Sequence, residues 1–161
     1  MADVTALEEK LGEVIGLAEA AQEAVDKVGS LPESDSQLEL LERLKAESEE
    51  TAKRGREVAE QRDGDAHAVF EKAEETKKEG VEMMESYLDG DSDGLDGFEF
   101  LTMTEAGEAG HWAILGKLNE KAGEDEVGEL VDWALPLQEA HLDDVREASL
   151  RLAAAEDPDS Q

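Results

Sequence analysis

The chain has 161 residues, and its 44 acidic against 15 basic side chains give a formal net charge of −29, which argues against nucleic acid or an anionic membrane as a partner. It contains no cysteine, so disulfides, zinc–thiolate sites and iron–sulfur clusters are excluded. Few aromatics and only 3 prolines in an Ala-, Leu-, Glu- and Lys-rich text predict an all-helical domain, long enough to bury a core without covalent staples.

The opening residues, Met1 to Glu9, carry neither a basic segment nor a continuous apolar run, and no later stretch approaches membrane-spanning length. A cytoplasmic protein without membrane contact is expected. Self-repulsion at this net charge is relieved by counterions, as a salt-rich cytoplasm would supply.

A first helix is predicted from Thr5 to Val28. Val4, Leu7, Leu11, Val14, Ala18, Ala21, Val25 and Val28 recur at helical spacing, Thr5-x-x-Glu8 is a capping box, and Gly29 and Pro32 stop the pattern. Its middle is small (Ala18, Ala20, Ala21), which leaves room for Glu19 or Glu23 to reach inward. A second helix is predicted to open at Ser34 or Ser36 and to turn Leu38, Leu41 and Leu44 inward. Beyond Leu44 the inward positions become Ser48, Thr51, Gly55 and Val58, flanked by Glu47 and Glu50.

Asp63-Gly64-Asp65 breaks this helix. A third helical segment follows to about Leu88, with Val69, Phe70, Ala73, Val81, Met84 and Leu88 as its buried set and His67 at the surface of its first turn. The stretch 63–97 thus forms a long connection between two helical pairs. The text from Asp89 to Leu101 resembles an EF-hand calcium loop, with Asp89, Asp91, Asp93 and Gly94 at the right spacing, but Glu99 falls one place early and there is no second loop. We read it as a loop and cap rather than a calcium site, with Asp96-x-x-Glu99 opening the next helix.

That fourth helix is predicted from Gly97 to about Ala122, anchored by Phe98, Leu101, Trp112, Leu115 and Leu118. Glu105, Glu108 and His111, three residues apart, lie on the same broad face. Gly107, Gly110 and Gly116 each cost about 1 kcal/mol against Ala in a helix, and predict close helix approach or space for a neighbour's side chain. The last helix is predicted from Asp125 to Ala154, with Val127, Leu130, Val131, Ala134, Leu137, His141, Val145, Ala148 and Leu152 inward. Pro136 lies within one turn of Gln138 and His141. Residues 1–155 are therefore expected to form the bundle, and the polar residues 156–161 a disordered tail.

Carboxylate-bridged metal pairs in four-helix bundles take one Glu from each of two helices and a Glu-x-x-His from each of the other two. This chain offers Glu108-x-x-His111, Gln138-x-x-His141, Glu47-x-x-Glu50, and Glu19 or Glu23 on the first helix. Neither an acid/base dyad, a Ser-His-Asp arrangement nor a phosphate-cradling glycine loop stands out, so the reading does not decide whether the protein is an enzyme.

These residues resemble the ferritin-like superfamily, most closely its YciF-like stress-protein branch. Leu44-Lys-Ala-Glu47-Ser-Glu49-Glu50-Thr51 is similar to that branch's acidic second helix, with Glu47-x-x-Glu50 where the branch has His-x-x-Glu. Glu105-x-x-Glu108, followed by Gly123-Glu-Asp-Glu126 and Leu130-Val131, resembles its third and fourth helices. The resemblance is sharpest over residues 98–148. It implies an antiparallel four-helix bundle with an extra helix in the long crossover between the second and third bundle helices, a stress-associated role, a homodimer, and an iron or manganese site. Glu19, Glu47, Glu50, Glu105, Glu108, His111, Gln138 and His141 would be its ligands. Gln138 stands where the superfamily motif has Glu, and the first helical pair offers no histidine among these ligands. The alternative is therefore a metal-free bundle with a structural or interaction role.

Overall fold

The computed structural model describes residues 3–160. Among the described residues there are five α-helices, α1 (Ala6–Gly29), α2 (Leu38–Gln61), α3 (Ala66–Tyr87), α4 (Gly94–Ala122) and α5 (Asp125–Ala155), and one 3-10 turn at Asp35–Gln37. The all-helical expectation is met, and α3 lies in the connection between α2 and α4.

Cross-helix pairs fix the topology. Asp26 meets Lys45, Glu19 meets Arg56 and Glu8 meets Arg62, so α1 and α2 are antiparallel. Thr102 pairs with Ser149 and Glu108 with Gln138, so α4 and α5 are antiparallel. Arg43 with Asp144 and Glu47 with His141 join α2 to α5 in the same sense, and Glu13 with His111 joins α1 to α4. It follows that α1 and α5 run one way and α2 and α4 the other. The chain must then travel the bundle's full length between α2 and α4, and α3 makes that journey alongside α1.

α1 is consequently buried on two sides. Leu11, Val14, Ile15, Val25 and Val28 face the bundle, while Gly12, Gly16 and Ala20 face α3. A β-carbon on Gly12 would sit 2.7 Å from Lys72 Cβ and from the Val69 carbonyl, and one on Gly16 would strike the Ala73 carbonyl and lie 2.8 Å from Thr76 Cβ. Small residues four apart let the two backbones approach closely. The larger apolar spacing along the first helix does not reveal this seam, which rests on small residues at i, i+4.

Local signals decide the helix ends. Thr5 and Glu8 form the expected capping box, with Glu8 N–H donating to Thr5 Oγ1 at 3.1 Å and Thr5 N–H donating to Glu8 Oε2 at 3.0 Å. α4 begins three residues earlier than predicted, because Asp93 and Asp96, not Asp96 and Glu99, make its box. Asp89 accepts the Asp91 N–H at 2.8 Å, so Asp89 and Asp93, two of the calcium-spaced aspartates, serve the loop's own amides. α2 starts at Leu38, later than either serine, and neither its own N-cap nor that of the 3-10 turn makes a side-chain cap bond. Val4 and Leu38, both expected inward, lie 45% and 44% exposed at helix starts. Leu137, Leu152, Phe70, Val81 and Met84 are only partly buried. Of Gly107, Gly110 and Gly116 in α4, a β-carbon on Gly116 would lie 3.0 Å from Val131, the close approach expected, whereas β-carbons on Gly107 and Gly110 would meet open space. Pro136 sits on the exposed side of α5, where water can serve the carbonyl that its missing N–H leaves free. Beyond Ala155 the chain forms an exposed turn, with Ser160 N–H donating to the Asp157 carbonyl at 3.0 Å.

The apolar interior falls into two clusters. One gathers Leu7, Leu11, Ile15, Trp112, Leu115, Val127 and Val131 toward the N-terminal end of α1, and the other gathers Val25, Val28, Leu44, Phe98, Phe100, Leu101 and Val145 toward its C-terminal end. Between them α1 supplies only small side chains, Ala18 and Ala21, while the other bundle helices supply polar ones.

Candidate functional site: a polar layer across the bundle

Glu105 and Glu108 on α4 and Gln138 and His141 on α5 are 1%, 4%, 5% and 1% exposed. Each pair is spaced by three, which puts both members on one helix face, and the antiparallel packing brings the pairs to one level. Gln138 Nε2 donates to Glu108 Oε2 at 2.9 Å and also to Glu105 Oε2. His141 Nε2 lies 2.9 Å from Glu47 Oε2 on α2, and Arg43 holds the other oxygen of Glu47 at 3.5 Å. His141 Nδ1 faces Glu105 Oε2 at 3.7 Å and has no hydrogen-bond partner. Ser48 and Thr51 complete the α2 side, with Thr51 Oγ1 donating back to the Glu47 carbonyl at 2.8 Å.

The electrostatics follow from burial and mutual proximity. Burial pushes the Glu108 carboxyl well above the ordinary 4.5, and the neighbouring Glu105 charge pushes it further, against the opposing hydrogen bond from Gln138. Burial works against a charged His141, yet Glu105 and Glu47, one on either side of the ring, hold its pKa above the usual 6.5. Raised values at Glu108 and His141 favour their protonated forms, and together with the Gln138 amide donating to both α4 carboxyl groups they offset a layer that would otherwise concentrate negative charge.

The sequence expectations divide cleanly. Glu47, Glu105, Glu108, Gln138 and His141 come together, whereas Glu19, Glu50 and His111 do not join them. Glu19 lies one position past the buried Ala18 and is drawn outward to Arg56 at 2.6 Å. Glu50 pairs with Arg54 at 2.9 Å at the surface, and Glu23 is exposed. His111 Nδ1 lies 2.8 Å from the Gly107 carbonyl, and its Nε2 lies 3.4 Å from Glu13, on the α1 side of α4. Arg43 was missed as the residue that orients Glu47, although its i, i+4 spacing from Glu47 on α2 is a local signal of the pair.

A dinuclear centre on the four-helix plan would need ligands from α1 and a second histidine, and the layer has neither. Glu47 and Glu105 lie on opposite edges of the His141 ring, and the Gln138 amide turns its N–H group, not its oxygen, toward both α4 carboxylates. The layer's residues therefore do not fit a metal pair. The described residues do bring one oxygen each of Glu33, Asp93 and Glu156 within 4.8 Å of one another, but that group lies outside the core and includes two exposed side chains. No protein-family model matches the chain, and no curated protein or solved structure is significantly similar to it.

Proposed function

We propose that the chain is a ferritin-like bundle, akin to stress-associated proteins of that type, which keeps the place of the superfamily's metal centre but fills it with hydrogen bonds, and which acts as a metal-independent structural or binding protein. Support for the bundle plan comes from the paired helix directions and the full-length crossover. The observation that carries the metal-independent reading is Gln138, whose amide donates to both Glu105 and Glu108 where a cation would otherwise bridge them. Full-length protein purified without chelator is expected to hold well under one equivalent of iron or manganese. Its melting temperature should be unchanged by Fe(II), Mn(II) or EDTA, and a shift of several degrees with either metal would overturn the reading.

A second reading has its own observation. His141 Nδ1 is a buried nitrogen without a partner, and its 3.7 Å separation from Glu105 Oε2 can be spanned by two metal–ligand bonds of about 2.1 Å. One iron or manganese ion held there by Glu105, Glu108 and His141 would supply Lewis acidity or redox chemistry. Under this reading the purified protein holds one equivalent of metal that His141→Ala abolishes.

A further inference from the structure

α4 carries a second stripe, on the side opposite its buried face. Met103, Gly107, Gly110 and Ile114 follow one another by three or four residues, and Glu99 at one end and Lys117 and Lys121 at the other continue the same exposed line. Met103 and Ile114 are 48% and 47% exposed, which leaves two large apolar side chains half in water. Gly107 and Gly110 between them serve no packing inside the chain, since a β-carbon at either would meet nothing within 4 Å, yet glycine is costlier than alanine within a helix. From Phe100 to Asn119 the only acidic residues are Glu105 and Glu108, and both are buried. About five turns of helix thus present no carboxylate to solvent, in a chain with 44 acidic residues. Copies of a protein with net charge −29 repel each other over most of their surface, and this ridge is a place where they can meet.

The ridge is also its own complement. Reversed about a point midway between Gly107 and Gly110, it sets Gly107 opposite Gly110 and Met103 opposite Ile114. Glu99 falls opposite residue 118, next to Lys117 and within a turn of Lys121. Two such helices related by a twofold axis would meet glycine to glycine at the crossing, where the backbones can approach closely. Methionine would meet isoleucine on either side, and carboxylate would meet ammonium at both ends. Lys117 lies 2.9 Å from Glu120 within its own helix, but both side chains are largely exposed, and a surface pair of this kind is weak enough for the ammonium to turn to a second carboxylate.

We propose that this ridge is an interface between two copies of the chain, paired antiparallel through α4 about a twofold axis at Gly107 and Gly110. From Glu99 to Lys121 the helix is about 33 Å long, and a ridge of that length on both copies buries on the order of 1,000 Å² in total, the size of a reversible rather than an obligate interface. The pairing rests on the outward face of α4 and not on whether the buried layer takes a metal.

Sedimentation equilibrium of the full-length protein tests it, in molar salt to screen the repulsion between copies and with EDTA to exclude bridging by metals. A monomer–dimer equilibrium is expected, with a dissociation constant in the micromolar range. Met103→Glu and Gly110→Glu, both at exposed positions, should each raise that constant at least tenfold while the dilute variants keep the parent's helical circular dichroism. The register can be read separately, because the chain has no cysteine. A short bis-maleimide should join Met103→Cys protein to Ile114→Cys protein in a mixture and should join neither variant to itself, since like positions lie about 16 Å apart along the paired helices. Glu99→Lys makes each copy less negative, so loose charge repulsion predicts tighter association at intermediate salt, whereas the pairing at the helix ends predicts weaker association. Adding Lys117→Glu, which restores both the net charge and the pairing, should recover the dimer. A monomer at every concentration in molar salt, a dimer untouched by Met103→Glu and Gly110→Glu, tighter association of Glu99→Lys, or cross-linking of Met103→Cys to itself in preference to the mixture would each overturn the proposal.

Discussion

Gln138 and Glu8 show how much a single side chain decides here. Replacing Gln138 by Glu puts a third carboxylate against Glu105 and Glu108 with no donor between them, and in EDTA it should destabilise the fold by about 3 kcal/mol or more. Urea unfolding measures this, and a neutral effect would contradict the role given to the amide. Glu8 is 5% exposed, and burial alone would raise its pKa; backbone N–H groups of Asp65 and Thr5, together with the Arg62 guanidinium, instead bring it down to about 2 from 4.5. A depressed carboxylate pKa contributes stability above pH 4.5 that is lost as pH falls toward 2, here up to about 3 kcal/mol. Glu108 and His141 work in the opposite sense. Their raised values mean the folded state holds protons that the unfolded chain releases, so their contribution weakens as pH climbs above 4.5 for Glu108 and above 6.5 for His141. Stability measured against pH should rise from 2 to about 4.5 and then decline, with the acid limb flattened in Glu8→Gln and the decline reduced in Glu108→Gln.

At the scale of the helix, the glycines separate two kinds of position that look alike in the sequence. Gly16→Ala would drive a methyl into the Ala73 carbonyl and Thr76, and should cost about 1–3 kcal/mol as overpacking. Gly110→Ala enters open space and should stabilise by up to about 1 kcal/mol through helix propensity. Thermal melts of the two variants that move in the same direction would refute the assignment of the α1–α3 seam. Helix number, the α1 cap and the inward Leu41, Leu44, Leu115 and Val145 were all legible from spacing and end signals. So were Glu105, Glu108 and His141, because a period of three on an otherwise apolar face is visible in one dimension. Glu19 was not legible as an outward residue, since Arg56 claims it across helices through a contact that depends on the angle at which α2 meets α1; the Glu50–Arg54 pair, at i, i+4 within α2, is a surface pairing that the spacing itself offers.

For the whole molecule, charge and architecture pull against each other. A net charge of −29 on a chain this short repels itself, so the melting temperature should rise as salt is brought to the molar range, and a fall would count against counterion relief. One inward-turned cluster resists that screening: Arg62, with its side chain 7% exposed, binds Glu8 at 3.1 Å and Glu124 at 3.1 Å, tying the starts of α1 and α5 to the end of α2. The division of the interior into two apolar clusters has a consequence for how the helices align. Alanine- and leucine-rich helices can slide past one another by a turn at little cost, because one apolar surface fits another almost as well. With Glu105, Glu108, Gln138 and His141 between the clusters, a one-turn slip of α4 against α5 would press a carboxylate into Ala134 or Val145, or Gln138 into Trp112. The layer acts as a key that admits a single alignment of the bundle.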